Sequence, residues 1–117
     1  MSRRAEKVGS VIKRVLVLPI SNLADEYSAG LTTVTSVRLS DDLQIAKIYV
    51  SAYGGKISAG KFIEILEQNV KELRYQVGLK ARLRYVPELR FFLDDTLDQI
   101  EHIQKLLDSV KNENINQ

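Results

Sequence analysis

Lys80, Arg82 and Arg84 alternate with Leu79, Ala81, Leu83 and Tyr85, so an extended backbone there would send three cations to one side of the chain. Lys71 and Arg74 precede them on a helical pattern, and between 71 and 90 only Glu72 and Glu88 oppose the basic residues. A second basic strip opens the chain, where Arg3, Arg4, Lys7, Lys13 and Arg14 face the single acid Glu6. Cations so spaced can neutralise successive phosphates, which releases counterions and makes affinity fall with salt. The candidate nucleic-acid contacts are therefore Lys71, Arg74, Lys80, Arg82 and Arg84, with Arg4, Lys7, Lys13 and Arg14 as a second strip. Tyr49, Tyr75 and Tyr85 lie among these cations, as rings that either stack on unpaired bases or close the edge of a core. A plainer account leaves the basic residues as solvated helix faces, with Arg82 and Arg84 paired to Glu88 or to the acids near the C-terminus.

Net charge decides little, because 17 basic and 15 acidic residues leave only +2. Distribution carries the argument: Asp94, Asp95, Asp98, Glu101, Asp108 and Glu113 outnumber Lys105 and Lys111 after the basic stretch, so the molecule is expected to be dipolar with one basic face.

Other chemistries find little material. With no cysteine there is no disulfide, thiolate metal site or cysteine nucleophile, and a reducing compartment such as a bacterial cytoplasm or an organelle stroma is expected. The one histidine, His102, projects away from the apolar side of its own helical pattern, which favours an exposed, neutral role over catalysis. Gly54-Gly55 lacks the lysine and serine of a phosphate loop and reads as a turn. Asp94, Asp95 and Asp98 are oxygen ligands of the type Mg²⁺ takes, yet an acidic first turn answering a helix dipole accounts for them with nothing added. No enzyme, cofactor or metal is expected. Nor does any stretch approach the ~20 apolar residues of a membrane span.

The elements that must position these residues follow from periodicity. Val8, Val11, Ile12, Val15 and Leu18 predict a first helix that Pro19 ends or kinks, with 21–30 as a loop. Leu31, Thr33, Thr35, Val37 and Leu39 predict one face of a strand, and Ser40-Asp41-Asp42 a turn. Ala46, Ile48, Val50 and Ala52 alternate with Ile45, Lys47, Tyr49 and Ser51 as the second arm of an antiparallel hairpin. From Ser58, a candidate N-cap, Ala59, Phe62, Ile65, Leu66, Val70, Leu73 and Val77 form a helical stripe that stops near Gly78. Residues 79–85 read either as a strand or as a helix tail. Val86-Pro87 then forces an extended backbone into a third strand from Leu89 to Leu93. Thr96 and Gln99 have the spacing of a capping box for a last helix along Leu97, Ile100, Ile103, Leu107 and Val110. The prediction is one α+β domain over 1–111 with a frayed tail at 112–117, its three-stranded sheet covered by helices on one face.

Arg82-Leu83-Arg84-Tyr85-Val86-Pro87-Glu88-Leu89-Arg90-Phe91-Phe92-Leu93-Asp94 resembles the signature of the ribosome-binding factor A family. Leu31-Thr32-Thr33-Val34-Thr35, Ser40-Asp41-Asp42-Leu43 and Ala46-Lys47-Ile48-Tyr49-Val50 are similar to that family's hairpin, in the same order and spacing. The resemblance spans roughly 5–110. It implies a type II KH-like fold whose helix-kink-helix element meets RNA. It further implies a maturation factor that binds free small (30S) ribosomal subunits near the 5′ terminal helix of 16S rRNA, assists late processing and assembly, and is released by a maturation GTPase. A soluble monomer is expected. Where the family carries alanine and glycine around one intervening residue, this chain has Asn69-Val70-Lys71, which predicts a weaker kink. The alternative of another class is a protein-interaction module whose basic face docks an acidic partner.

Overall fold

Ser2 caps the first helix, its side chain accepting the Ala5 amide at 3.1 Å, and α1 runs from Arg3 to Tyr27. This computed structural model describes residues 2–96, so the predicted last helix, His102, the acids from Asp98 onward and the 112–117 tail lie outside the described residues. After α1 come β1 (Gly30–Leu39), β2 (Ile45–Gly54), α2 (Ala59–Gln68), α3 (Val70–Ala81) and β3 (Glu88–Leu93). The sheet order is β1-β2-β3, with β1 antiparallel and β3 parallel to the central strand. A parallel neighbour cannot be reached by a tight turn, and α2 and α3 supply the crossover from β2 to β3. The expected α+β architecture, a three-stranded sheet with helices packed on one face, is the one found.

The core lies between that helical layer and the sheet. Ile12, Leu16 and Ile20 of α1, Phe62 and Leu66 of α2, and Leu73 and Val77 of α3 are buried with Ile48, Val50, Leu89 and Phe91 of the strands. Burying side chains of this size contributes roughly 1.5–3 kcal/mol each, and that gain holds the layers together.

Three expectations need correction. Pro19 does not end the first helix, which continues through 21–27, predicted as loop, to a left-handed cap at Ser28 (φ 56°, ψ 45°). The missing amide bond to Val15 is offset by burial of Ile20 and Ala24 beyond it. Nor is the buried stripe of α1 led by its largest residues: Ala5, Gly9, Ile12, Leu16, Ile20 and Ala24 face the core, while Leu18 is 59% exposed. Close approach is the reason, since a Cβ on Gly9 would sit 3.1 Å from the Val37 carbonyl oxygen of β1.

The predicted face of β1 holds only in its second half. The β1–β2 register shifts between Val34 and Ser36, so Val34 is buried with Val37 and Leu39, whereas Leu31 is 72% exposed and Thr33 is also outward. One extra residue, Thr35, changes which parity points inward. It is also tied on three sides: its hydroxyl lies 2.6 Å from Asp94 Oδ2 and 3.2 Å from the Tyr49 carbonyl, and its own carbonyl accepts from Lys13 Nζ at 3.3 Å. The hairpin turn and β2 match expectation, with Ala46, Ile48, Val50 and Ala52 all buried.

Gly54 ends β2 at φ +78° and Gly55 follows it as the expected turn. Gly55 packs against the segment that leaves α1. A Cβ there would fall 2.1 Å from the Ala29 carbonyl carbon, and the next residue, Lys56, donates its amide to the Ser28 carbonyl at 2.7 Å.

Candidate nucleic-acid interface

The break between α2 and α3 forms without a glycine. Asn69 leaves helical geometry (φ −103°, ψ 14°), its side-chain amide donates to the Ile65 carbonyl at 2.8 Å, and its own carbonyl accepts from Leu73 at 3.1 Å to start the next helix. Asparagine suits this place because its short polar side chain can replace a backbone donor at a helix end. At Asn69-Val70-Lys71, where a weaker kink is predicted, the Asn69 amide still donates to the Ile65 carbonyl at 3.1 Å, and a single residue interrupts the helix. Its C-terminal half begins with Lys71 exposed in the first turn.

Helix α3 runs past Gly78 to Ala81, so Lys80 is helical and the strand reading of 79–85 fails. Arg82 closes the helix in the left-handed region (φ 53°, ψ 39°), and the chain then folds back along α3. Two residues one turn apart hold that return. Arg74 donates Nε to the Pro87 carbonyl at 3.1 Å and a terminal nitrogen to the Val86 carbonyl at 2.9 Å. At Gly78 a Cβ would meet Val86 Cγ2 at 2.9 Å, so the absent side chain makes room for the loop. Arg74, predicted as a phosphate contact, is therefore first a clamp on the loop that carries Arg82 and Arg84.

The loop reaches the start of α1. Arg4 and Val8 line one side of a shallow cleft, Leu83, Arg84, Tyr85 and Pro87 another, and Asp42, Leu43 and Gln44 of the hairpin turn a third. Arg84 lies over the Tyr85 ring at 5.6 Å, and Tyr85 is 79% exposed. The tertiary structure thus joins Arg4 of one predicted strip to Arg84 of the other. It does not gather the rest of the first strip: Lys7 and Arg14, seven residues apart, share the outward side of α1, and Lys13 turns to the bulge of β1. Lys80 stands on a third surface, in a hollow with Leu18, Pro19 and Asn22 of α1.

A groove along β3 collects Lys71 and Arg74 with Glu67, Arg90 and Phe92. Here the Glu67 carboxylate accepts the Phe91 amide at 2.9 Å, occupying a donor on the open edge of the sheet. Of the two pairings that the plainer account offers Arg82 and Arg84, the one with Glu88 is not found, since Glu88 sits 3.3 Å from Arg90, and the acids from Asp98 onward lie outside the described residues. Among the described residues Lys71, Lys80, Arg82, Arg84, Arg4, Lys7 and Arg14 have no carboxylate within ion-pair distance. Arg38, Lys47 and Arg90 went unremarked as candidates from sequence, because they are scattered among strand residues.

The family model of ribosome-binding factor A matches residues 4–107. Ribosome-binding factor A of Natranaerobius thermophilus is 36% identical over 104 residues, covering 89% of this chain and 79% of that protein. The crystal structure of the Thermus thermophilus ribosome-binding factor A superposes with a TM-score of 0.66 at 27% identity, over 76% of this chain and 94% of that one. A Thermus thermophilus homology model fitted into the cryo-EM map of a 30S complex with that factor gives a TM-score of 0.60 at 30% identity, over 72% and 88%. The matched span takes in the hairpin, the helix break and the basic loop, and this chain belongs to the ribosome-binding factor A family.

Proposed function

We propose that the protein binds free small ribosomal subunits and assists late processing and assembly of 16S rRNA near its 5′ terminal helix. The observation that carries this reading is the set of cations around the α2–α3 break and the following loop, which have no carboxylate at ion-pair distance among the described residues, in a chain whose Thermus thermophilus relative is fitted into a 30S complex. Lys71 and Arg74 at the β3 groove, Arg82 and Arg84 on the loop, and Arg4 across the cleft hold phosphates and fix orientation. Ribosomal shape and base pairing supply the specificity, because phosphate contacts carry no sequence information. Lys80, Lys7, Lys13 and Arg14 act at longer range by adding to the positive field. The factor acts as a monomer and leaves the subunit when a maturation GTPase arrives.

Sedimentation with purified small subunits, large subunits and whole ribosomes, at low and moderate salt, tests this. Co-migration with free small subunits only is the expected result. Absence from every ribosomal fraction at low salt would sink the reading and move a docking site for an acidic protein to the front. Arg82→Glu combined with Arg84→Glu should leave the fold intact and release the protein from small subunits at moderate salt. Unchanged co-migration of that folded double variant would remove both residues from the site.

A further inference from the structure

The sheet face on which none of the described helices packs carries an ordered pattern of its own. In the strand register Arg38 pairs with Lys47 and Lys47 with Arg90, so three cations stand in one row across β1, β2 and β3. Neighbouring strands are about 4.8 Å apart, and like charges directly opposite one another destabilise a sheet. Glu88 offsets only Arg90, at 3.3 Å. The next row on the same face pairs Ser36 with Tyr49 and Tyr49 with Phe92, whose rings stack at 5.5 Å with planes 27° apart. Phe92 is 39% exposed. A basic row thus adjoins an aromatic pair two residues along the strands, a separation of about 7 Å.

We infer that this open face binds single-stranded RNA, one base stacking on the Tyr49–Phe92 pair while Arg38, Lys47 and Arg90 take the adjoining phosphates. Asp94 and Asp95 border Ser36, Arg38 and Tyr49 at one end of the face, so the cationic row and the aromatic pair select the ligand together rather than charge alone. An apolar helix would bury Arg38, Lys47 and the Arg90–Glu88 pair, and a second copy of the chain would set one cationic row against another. An acidic protein could answer the charges and would leave the aromatic pair unused. Unpaired RNA uses both, because every base has a face that stacks and every nucleotide a phosphate. The surface also continues the proposed interface, since Arg90 and Phe92 line the β3 groove that holds Lys71 and Arg74. A strand held in that groove would pass round the β3 edge onto the sheet face. The inference deepens the ribosomal reading and rests on it for where the RNA comes from, while the chemistry of the face stands separately.

The test is binding of the full chain to a fluorescein-labelled single-stranded RNA of about 12 nucleotides and to a duplex of the same sequence. Phe92→Ala should weaken the single strand roughly 5- to 100-fold and leave the duplex unchanged. Arg38→Gln with Lys47→Gln should lower the salt slope for the single strand by about 1.4, or 0.7 per lost phosphate contact. Circular dichroism and thermal melting establish that each variant is folded. A folded Phe92→Ala that binds the single strand like the parent overturns the inference, and so does failure of the parent to bind it at low salt. Co-sedimentation keeps the two readings apart. Binding of the oligonucleotide with the expected losses, but no association with small subunits, would retain the face and overturn the ribosomal reading.

Discussion

Arg82 occupies a position where glycine is the usual residue, the left-handed end of a helix, which costs a side-chain-bearing residue on the order of 1 kcal/mol. The left-handed cap turns the chain back along α3, and an arginine in place of glycine there fits the phosphate contact proposed for Arg82. Arg82→Gly should therefore raise stability by about 0.5–1 kcal/mol in urea denaturation while weakening association with small subunits. A variant that is stabilised and binds normally would show that Arg82 has no part in the interface. Asp94 offers a second test at this scale. The Thr35 hydroxyl, then the Thr96 side chain and amide, hold its carboxyl below the usual value of 3.8. A lowered folded value means that the contribution is present above the ordinary carboxylate range and disappears as pH falls through the lowered one. Asp94→Asn should accordingly melt below the parent at neutral pH, and the two melting temperatures should converge as pH falls through the lowered value. A constant gap across that acid range would contradict the assignment.

At the scale of elements, α1 and the α2–α3 pair break the rules in opposite directions. The first helix keeps a proline in its interior because residues on both sides of it are buried, and the second ends at an asparagine in the middle of a continuous apolar stripe. Pro19→Ala restores an amide donor for the Val15 carbonyl and removes the ring's clash with the preceding turn. It should stabilise the protein by about 1 kcal/mol or more, read from the urea midpoint, with small-subunit binding unaffected. The absence of a glycine around Asn69 is visible in the sequence, whereas the capping of the Ile65 carbonyl by the asparagine side chain is not. The β1 bulge escaped for a similar reason: alternation predicts a face only while the register is unbroken, and Thr35 carries no local mark of being the extra residue.

For the molecule as a whole, one crossing point ties the helical layer to the sheet. Gly55 passes against Ala29 and Ser28 where α1 hands over to β1, with backbone atoms rather than flexible side chains as its neighbours. Gly55→Ala should cost more than about 3 kcal/mol or prevent folding, seen as loss of the cooperative melting transition. Gly54→Ala, whose Cβ would enter open space, should cost only about 1 kcal/mol for its positive φ. Equal effects at the two glycines would show that backbone strain rather than packing governs this corner.

The order of elements from the first helix to the third strand, the hairpin with its turn, the Ser58 cap and the family were all legible in the residues, because periodicity, turn chemistry and a contiguous signature are local properties. Spacing and the family resemblance also singled out Lys71, Arg74, Arg82 and Arg84 as candidates. What they do to one another was not legible there. Only the tertiary structure turned Arg74 into a clamp on the Val86 and Pro87 carbonyls, brought Arg4 beside Arg84 and sent Lys13 to a bulge. It also set Arg38, Lys47 and Arg90 in one row beside Tyr49 and Phe92. Register and long-range hydrogen bonds relate residues far apart in the chain, and no short window of sequence holds both partners.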